Sequence, residues 1–424
     1  MKKFTILLTT ALLGIASCNL SDLDTVPDEA VPVEELAPMK EIELTRAQSD
    51  FVKKGANAFA LNLFKETVGD ESMVVSPLCV TYALGMIDNG AIGNTKIQIE
   101  KALGYEEESL NCLNSFCETM IKNTVTVDPS ANIGFANALI VNSRFNPLRR
   151  EFQNTIEDRY SADISYMDFN ADDVIGHINQ WCAKKTNNMI TALLKERPSE
   201  LTYAQILSAI YFKGIWSSRF RKADSRKANF KDIHGKKQTV NMMRQKAYFN
   251  YKKVSNLCSA VCLPFGNQAF RMLFVLPEKG RTIAELKDSL TLEMWENICG
   301  GLYYENVDVM IPSFETEYAS GLRVALQNLG VSDIFFPDIA NLQAMTETDG
   351  VWLSDVIHKA KIAIDEHGSE AAAIADAIMA TSIAPGPGPS QQPPAKEFKA
   401  DRPFLYAIYE ASTGSILFIG QYTG

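Results

Sequence analysis

The chain has 424 residues, of which 46% are hydrophobic and 22% charged, and a formal net charge of -10. This is a globular composition, large enough for one big domain or two medium ones, and it excludes a fibre or wholesale disorder. The acidic balance also argues against nucleic acid as a partner, because phosphate binding needs a concentrated excess of Lys and Arg.

Lys2 and Lys3 precede an apolar run from Phe4 to Ile15 and small residues that end at Cys18. That order predicts a secretory signal over residues 1–17, too short to span a membrane. The segment "GIASC" is similar to a bacterial lipobox, in which the cysteine is lipidated and becomes the mature N-terminus; an ordinary signal with an incidental cysteine is the competing reading. A lipid on Cys18 places the exported protein at the cell envelope, on the outer membrane or its exterior face. Residues 18–49 are acidic and broken by Pro27, Pro32 and Pro38. They read as a tether that spans about 30 Å as a flexible coil.

From Asp50 onward helical and strand periods mix. "FVKKGANAFALNLFKETV" carries apolar residues at helical intervals. In "SMVVSPLCVTYALGMIDNGAIGNT", Ser76 suits an N-cap, Pro77 the first helical position and Gly90 a stop, and the helix between is apolar nearly all round, hence central and buried. "ANIGFANALIVNS", "LSAIYFKGIWSSRF", "AVCLPF" and "RMLFVLP" read as strands. "NPLRREFQNTIEDRY", "VIGHINQWCAKKTNNMI" and "YASGLRVALQNLGVSDIF" read as helices, the last closed by Gly330. The end, "FLYAIYEASTGSILFIG", is two apolar strands around a turn. The basic stretch 217–237 reads as a solvated surface, with contact to an acidic partner as the weaker reading. One α+β domain over 50–424 accounts for this pattern better than two.

Eight cysteines leave seven once Cys18 is set aside, so at least one is unpaired. Cys79, Cys182, Cys258 and Cys262 sit in apolar runs, as small buried hydrophobes do, and a Cys112–Cys117 disulfide stays open. Four histidines, none in zinc spacing with a cysteine pair, call for no metal, and no motif calls for a cofactor.

Five segments in order carry a resemblance: "NAFALNLF", "SPLCVTYALGMIDNGAIGNT", "SAIYFKGIW", "VIHKAKIAIDEHGSEAAA" and "DRPFLYAIYEASTGSILFIGQ". Over about residues 50–424 the chain resembles the serpins. The resemblance implies a large mixed main sheet, further sheets, surrounding helices and an exposed reactive-centre loop at about 366–398. It implies a suicide-type inhibitor, in which a target protease attacks the loop, forms an acyl-enzyme and is trapped as the cleaved loop enters the main sheet as a new strand. The expected partner is a serine protease, with a papain-like cysteine protease as a further candidate, and a monomer is expected.

The residues can be tested against that mechanism directly. A strand entering a packed sheet must bury every second side chain, where large or charged groups cost heavily. After the hinge, Glu366 to Gly368, one face carries Ser369, Ala371, Ala373, Ala375 and Ala377, and the other carries Glu370, Ala372, Ile374, Asp376 and Ile378. The first set is uniformly small and uncharged. An alanine-rich exposed helix is the competing reading. Counting as the family does, the scissile bond is Ser382–Ile383, and Met379, Ala380 and Thr381 before it suit an elastase-like or subtilisin-like protease rather than a trypsin-like one. Beyond it, "APGPGPSQQPP" holds five prolines in eleven residues and reads as an extended spacer.

The resemblance also implies a polar cluster that controls sheet opening. Ser76 and His358 match it, whereas Cys79 stands where a second serine is expected and Ser208 where an asparagine is, and Trp216 keeps its place at the top of the sheet. Ser313 replaces a basic residue near Glu366, leaving that carboxylate without its expected salt bridge. Two other functions compete. A non-inhibitory relative would carry bulky or charged residues on the inserting face, and a hydrolase using His358 or His367 would need a nucleophile elbow or comparable motif that the sequence lacks.

Overall fold

The structure is a computed structural model that describes residues 36–105, 110–369 and 394–424. Fourteen strands alternate with helices: β1 (Met73–Val75), β2 (Ala131–Asn142), β3 (Asp163–Met167), β4 (Ala204–Gly214), β5 (Arg226–Lys231), β6 (Lys237–Val254), β7 (Cys258–Phe265), β8 (Phe270–Pro277), β9 (Tyr303–Pro312), β10 (Phe314–Gly321), β11 (Ile357–Ile364), β12 (Lys396–Lys399), β13 (Phe404–Glu410) and β14 (Ile416–Tyr422). A nine-stranded sheet runs β1-β14-β13-β8-β7-β6-β9-β12, with β5 on β6, and a five-stranded sheet runs β10-β11-β4-β2-β3. Helices and two sheets in one chain make an α+β fold.

The helix Pro77–Asp88 is buried at every position and packs between β4 and β14. Ser76 caps it by accepting the Cys79 N–H at 3.3 Å, and Pro77 starts it. Its Gly85 lies against the Tyr160 hydroxyl, which a Cβ would meet at 2.5 Å. A side chain there would push the helix away from Arg150–Tyr160, the helix that ends in Tyr160.

Two expectations are corrected. The folded body begins before position 50: Ile42 is buried, its N–H donates to Ser412 Oγ at 2.9 Å, and a helix opens at Arg46 under a Thr45 capping box. That helix gives way to a π-helical turn at Val52–Ala56, where Gly55 faces the Leu103 and Gly104 carbonyls at 2.7 and 2.8 Å from an added Cβ. The expected helix at 318–335 is strand as far as Gly321, because β10 pairs with β11 over its whole length, and only Arg323–Asn328 is α-helical. Tertiary pairing has overridden local propensity. The loop expected at about 366–398 lies mostly outside the described residues, and Lys396–Lys399 form β12 against β9.

Cys79, Cys112, Cys117, Cys182, Cys258, Cys262 and Cys299 are free thiols, so Cys112 and Cys117 are not bridged. Among the described residues no helix is long and apolar enough to cross a membrane.

Candidate functional site: the parted strands and the hinge

Strands β4 and β11 are parallel neighbours at the centre of the five-stranded sheet, and among the described residues they pair through Leu207–Ile210 with Ile357–Ala360. Above Ile210 and Ala360 they part. Into the top of that gap comes Ser369, bridging Ile364 while its neighbour Gly368 bridges Ile215, both antiparallel. The Ser369 N–H donates to the Gly214 carbonyl at 2.7 Å, its hydroxyl donates to the Phe212 carbonyl at 3.1 Å, and the residue is 1% exposed. A segment continuing in this direction would lie antiparallel to both flanking strands and complete their open hydrogen-bond edges.

The reversal from β11 to Ser369 takes four residues. The Asp365 N–H donates to the Gly368 carbonyl at 2.9 Å, and Asp365 Oδ1 accepts the N–H groups of His367 and Gly368. Gly368 has φ +153°, and an added Cβ would lie 2.0 Å from the Gly214 carbonyl oxygen. Only glycine fits there. Trp216 supports the turn from below: Nε1 donates to the Asp365 carbonyl at 2.9 Å, its backbone N–H donates to the His367 carbonyl at 2.8 Å, and its ring stacks on Phe265 at 4.3 Å.

Glu366 is not stranded by Ser313. Asn241 on β6 donates to its carboxylate at 2.9 Å, and the Phe220 N–H donates to its carbonyl at 3.1 Å. Burial alone would raise this carboxyl, but the Ser225 hydroxyl, the Asn241 amide and its own backbone, with the charge of Lys222, outweigh burial and hold it below its usual value. The hinge glutamate is thus anchored by an amide where a cation was expected.

Lower in the sheet, His358 stands opposite Ser208 in the β11–β4 register. The Ser76 N–H donates to His358 Nε2 at 3.0 Å, which makes Nε2 the acceptor and fixes the proton on Nδ1. Burial drives the imidazole pKa down to about 4, against a smaller upward pull from the Ser208 backbone, so the ring is neutral. Cys79 lies beside Ser76 and Ser208, and burial pushes its thiol up to about 12 although both hydroxyls pull the other way. It is an inert thiol at neutral pH.

The amide missing from position 208 has moved one strand over. Asn137 on β2 is directly opposite Ser208; it accepts the Ser208 hydroxyl at 2.7 Å and donates to the Tyr160 carbonyl at 2.9 Å. Tyr160 in turn donates to Asn114 at 2.5 Å. Sequence reasoning missed Asn137 and Asn241, although "GFANALIV" shows one buried polar residue within an apolar strand, and that is the signal that would have found Asn137.

The structure therefore brings together Ser76, Cys79, Ser208 and His358 in one cluster, and Trp216, Glu366, Gly368 and Ser369 in another. Glu370, Ala371, Ala372, Ala373, Met379, Ala380, Thr381, Ser382 and Ile383, like Cys18, lie outside the described residues.

The family model described as Serpin (serine protease inhibitor) matches residues 54–424. The chain is a serpin. It is 31% identical to Iripin-1 of Ixodes ricinus over 89% of this chain and 95% of that protein. Among solved structures it superposes on the native state of tengpin, a thermophilic serpin, with a TM-score of 0.79 at 26% identity, covering 92% of this chain and 97% of that one. The fold is also that of human thyroxine-binding globulin with bound ligand, at a TM-score of 0.79 and 22% identity over 89% of this chain and 99% of that one. As a serpin the chain belongs to a family of protease inhibitors, not enzymes.

Proposed function

We propose that this serpin is a suicide-type inhibitor of a serine protease with a small or apolar specificity pocket. The observation that carries the reading is Ser369, already seated between Gly214 and Ile364 at the head of the parted strands. The protease serine attacks the Ser382 carbonyl, an ester to the enzyme forms, and the amine of Ile383 leaves. Residues after Ser369 then follow it down between β4 and β11, burying the small-residue face and adding strand hydrogen bonds on both sides. Unzipping Leu207–Ile210 from Ile357–Ala360 is the structural cost of that step. The C-terminal fragment stays in place because β13 and β14 are interior strands of the nine-stranded sheet.

The thyroxine-binding fold neighbour binds a small ligand with the same architecture, and such a role predicts bulk or charge on the inserting face. The residues following Ser369 at alternate positions are alanines instead. The N-terminal signal and Cys18 support a lipid-anchored protein at the cell envelope, and a papain-like cysteine protease is a second target class.

The test is to mix the protein with an elastase-type protease and run a denaturing gel, with mass spectrometry of the small fragment. A boiling-resistant complex and a fragment beginning at Ile383 are expected. Clean cleavage there without a complex would overturn the inhibitory reading. Labelling of wild type but not Cys18→Ala by a radioactive fatty acid tests the anchor.

A further inference from the structure

Between the helix Val174–Lys185 and β4 the chain crosses the lower face of the five-stranded sheet without regular structure. Leu193 and Leu194 hold this segment down, buried in the same cluster as Leu207 of β4. Asn179 of the helix fixes their backbone: Oδ1 accepts the Leu193 and Leu194 N–H groups at 2.7 and 2.8 Å, and Nδ2 donates to the Leu194 carbonyl at 2.8 Å. Lys359 of β11 ties the segment from the sheet side. It donates to the Ala192 carbonyl at 3.0 Å and pairs with Glu317 of β10 at 2.7 Å.

Below Lys359 the segment and the sheet enclose a cavity of about 260 Å³. Much of its wall is apolar, with Leu193 and Pro198 from the segment, Ala319 from β10 and Ile357 from β11. Gln205 of β4 is an exception. Residues two apart on a strand share a face, so its side chain lies on the side of Leu207, toward the cavity it lines. Gln205 is 6% exposed, and among the described residues no hydrogen bond engages its amide. A buried amide without partners is costly, and a ligand that supplies acceptors removes that cost. The rim carries Lys195, Glu196 and Arg197. Arg197 is engaged by the Asn170 carbonyl at 3.0 Å and by Asp172 at 3.7 Å, whereas Lys195 is exposed and forms no ion pair with a described residue. The amide and the lysine both offer donors, which selects an anionic head. An apolar cavity of about 150 Å³ holds benzene, so this one accommodates a ligand of roughly ten heavy atoms.

We propose that the cavity binds a small molecule with an apolar body and a carboxylate head, the class of a medium-chain fatty acid, with the head on the Gln205 amide and Lys195. Such an occupant touches the covering segment, β4, β10 and β11 at once. It therefore braces the sheet beside Leu207–Ile210 and Ile357–Ala360, the pairs that must part for a strand to enter. Binding rests on the cavity alone; slower loop insertion rests also on the inhibitory reading above.

The probe is octanoate, with octanol as its neutral counterpart, titrated into the full chain by calorimetry. A dissociation constant of about 0.1–1 mM is expected for octanoate, and one about tenfold weaker for octanol. Hydrogen exchange at Leu207–Ile210 should slow about three- to tenfold at saturation. Lys195→Glu, at an exposed site, and Gln205→Leu should each weaken octanoate about fivefold and leave octanol unchanged. Ala319→Trp, on the exposed edge strand, should fill the cavity and abolish both. Absence of octanoate binding, or binding that all three variants leave untouched, would overturn the site. Octanol binding as tight as octanoate would overturn the carboxylate head, and unchanged exchange at saturation would overturn the brace. Binding and slowed exchange in a protein that traps no protease would sink the inhibitory reading and leave this site standing.

Discussion

Ser369 and Gly214 are joined by a 2.7 Å hydrogen bond from the amide of one to the carbonyl of the other, which seats Ser369 at the head of the gap between β4 and β11. The buried hydroxyl of Ser369 points to the face that the small residues after it would share. Ser369→Glu should therefore block insertion, because burying an unpaired carboxylate costs several kcal/mol. Cleavage at the loop should persist, while the fraction of protease held in a boiling-resistant complex should fall more than about tenfold, a rate race lost at 1.4 kcal/mol per decade. Complex formation at the wild-type level would show that the loop does not enter by this route.

Gly368→Ala tests the turn itself. The new methyl would meet the Gly214 carbonyl and require a left-handed backbone, which costs about 1–3 kcal/mol. The hinge should leave the sheet, exposing Ser369 and the chain after it to a non-target protease such as thermolysin. Unchanged proteolysis rates would mean that the turn relaxes elsewhere.

His358 sets a pH dependence. Its pKa is about 4 in the folded state against roughly 6.5 unfolded, so between those values the unfolded chain binds more protons and stability falls as pH drops. The loss should begin near pH 6.5, finish near pH 4 and amount to about 3 kcal/mol. Denaturation midpoints across that range should show it, and His358→Phe should remove this part of the slope. A wild-type profile that stays flat over the interval would contradict the buried neutral imidazole.

Asn137→Ala removes the acceptor of Ser208 and the donor to Tyr160. Each buried group left unsatisfied costs about 1–3 kcal/mol. The more telling experiment is transplantation: Ser208→Asn in the Asn137→Ala background restores an amide to the pair from the other strand. Recovery of at least half the lost stability is expected, read from urea midpoints. No recovery would mean that the amide is needed on β2 specifically.

Much of this architecture was legible in the sequence because its signals are local. Ser76-Pro77 announced a buried helix, whereas the alternating residues after Ser369 lie outside the described residues. What was hidden depends on pairs distant in the chain. Asn241 and Glu366 are 125 residues apart, and Asn137 and Ser208 are 71 apart, so the loss of a familiar side chain at Ser313 or Ser208 looked like a vacancy until the register showed its replacement. The helix expected at 318–335 failed for the same reason, since the strand there exists only through β11.

The place of β14 has a consequence for how the protein is made. It lies between β1 and β13, bonded to the strand that begins at Met73 on one side and to its own hairpin partner on the other. Ile416–Tyr422 leave the ribosome after every other described strand, so the nine-stranded sheet cannot close before they do. Contacts that distant are slow to form. Until then β1 and β13 have bare edges, and the loss of that strand by a premature stop would leave them so.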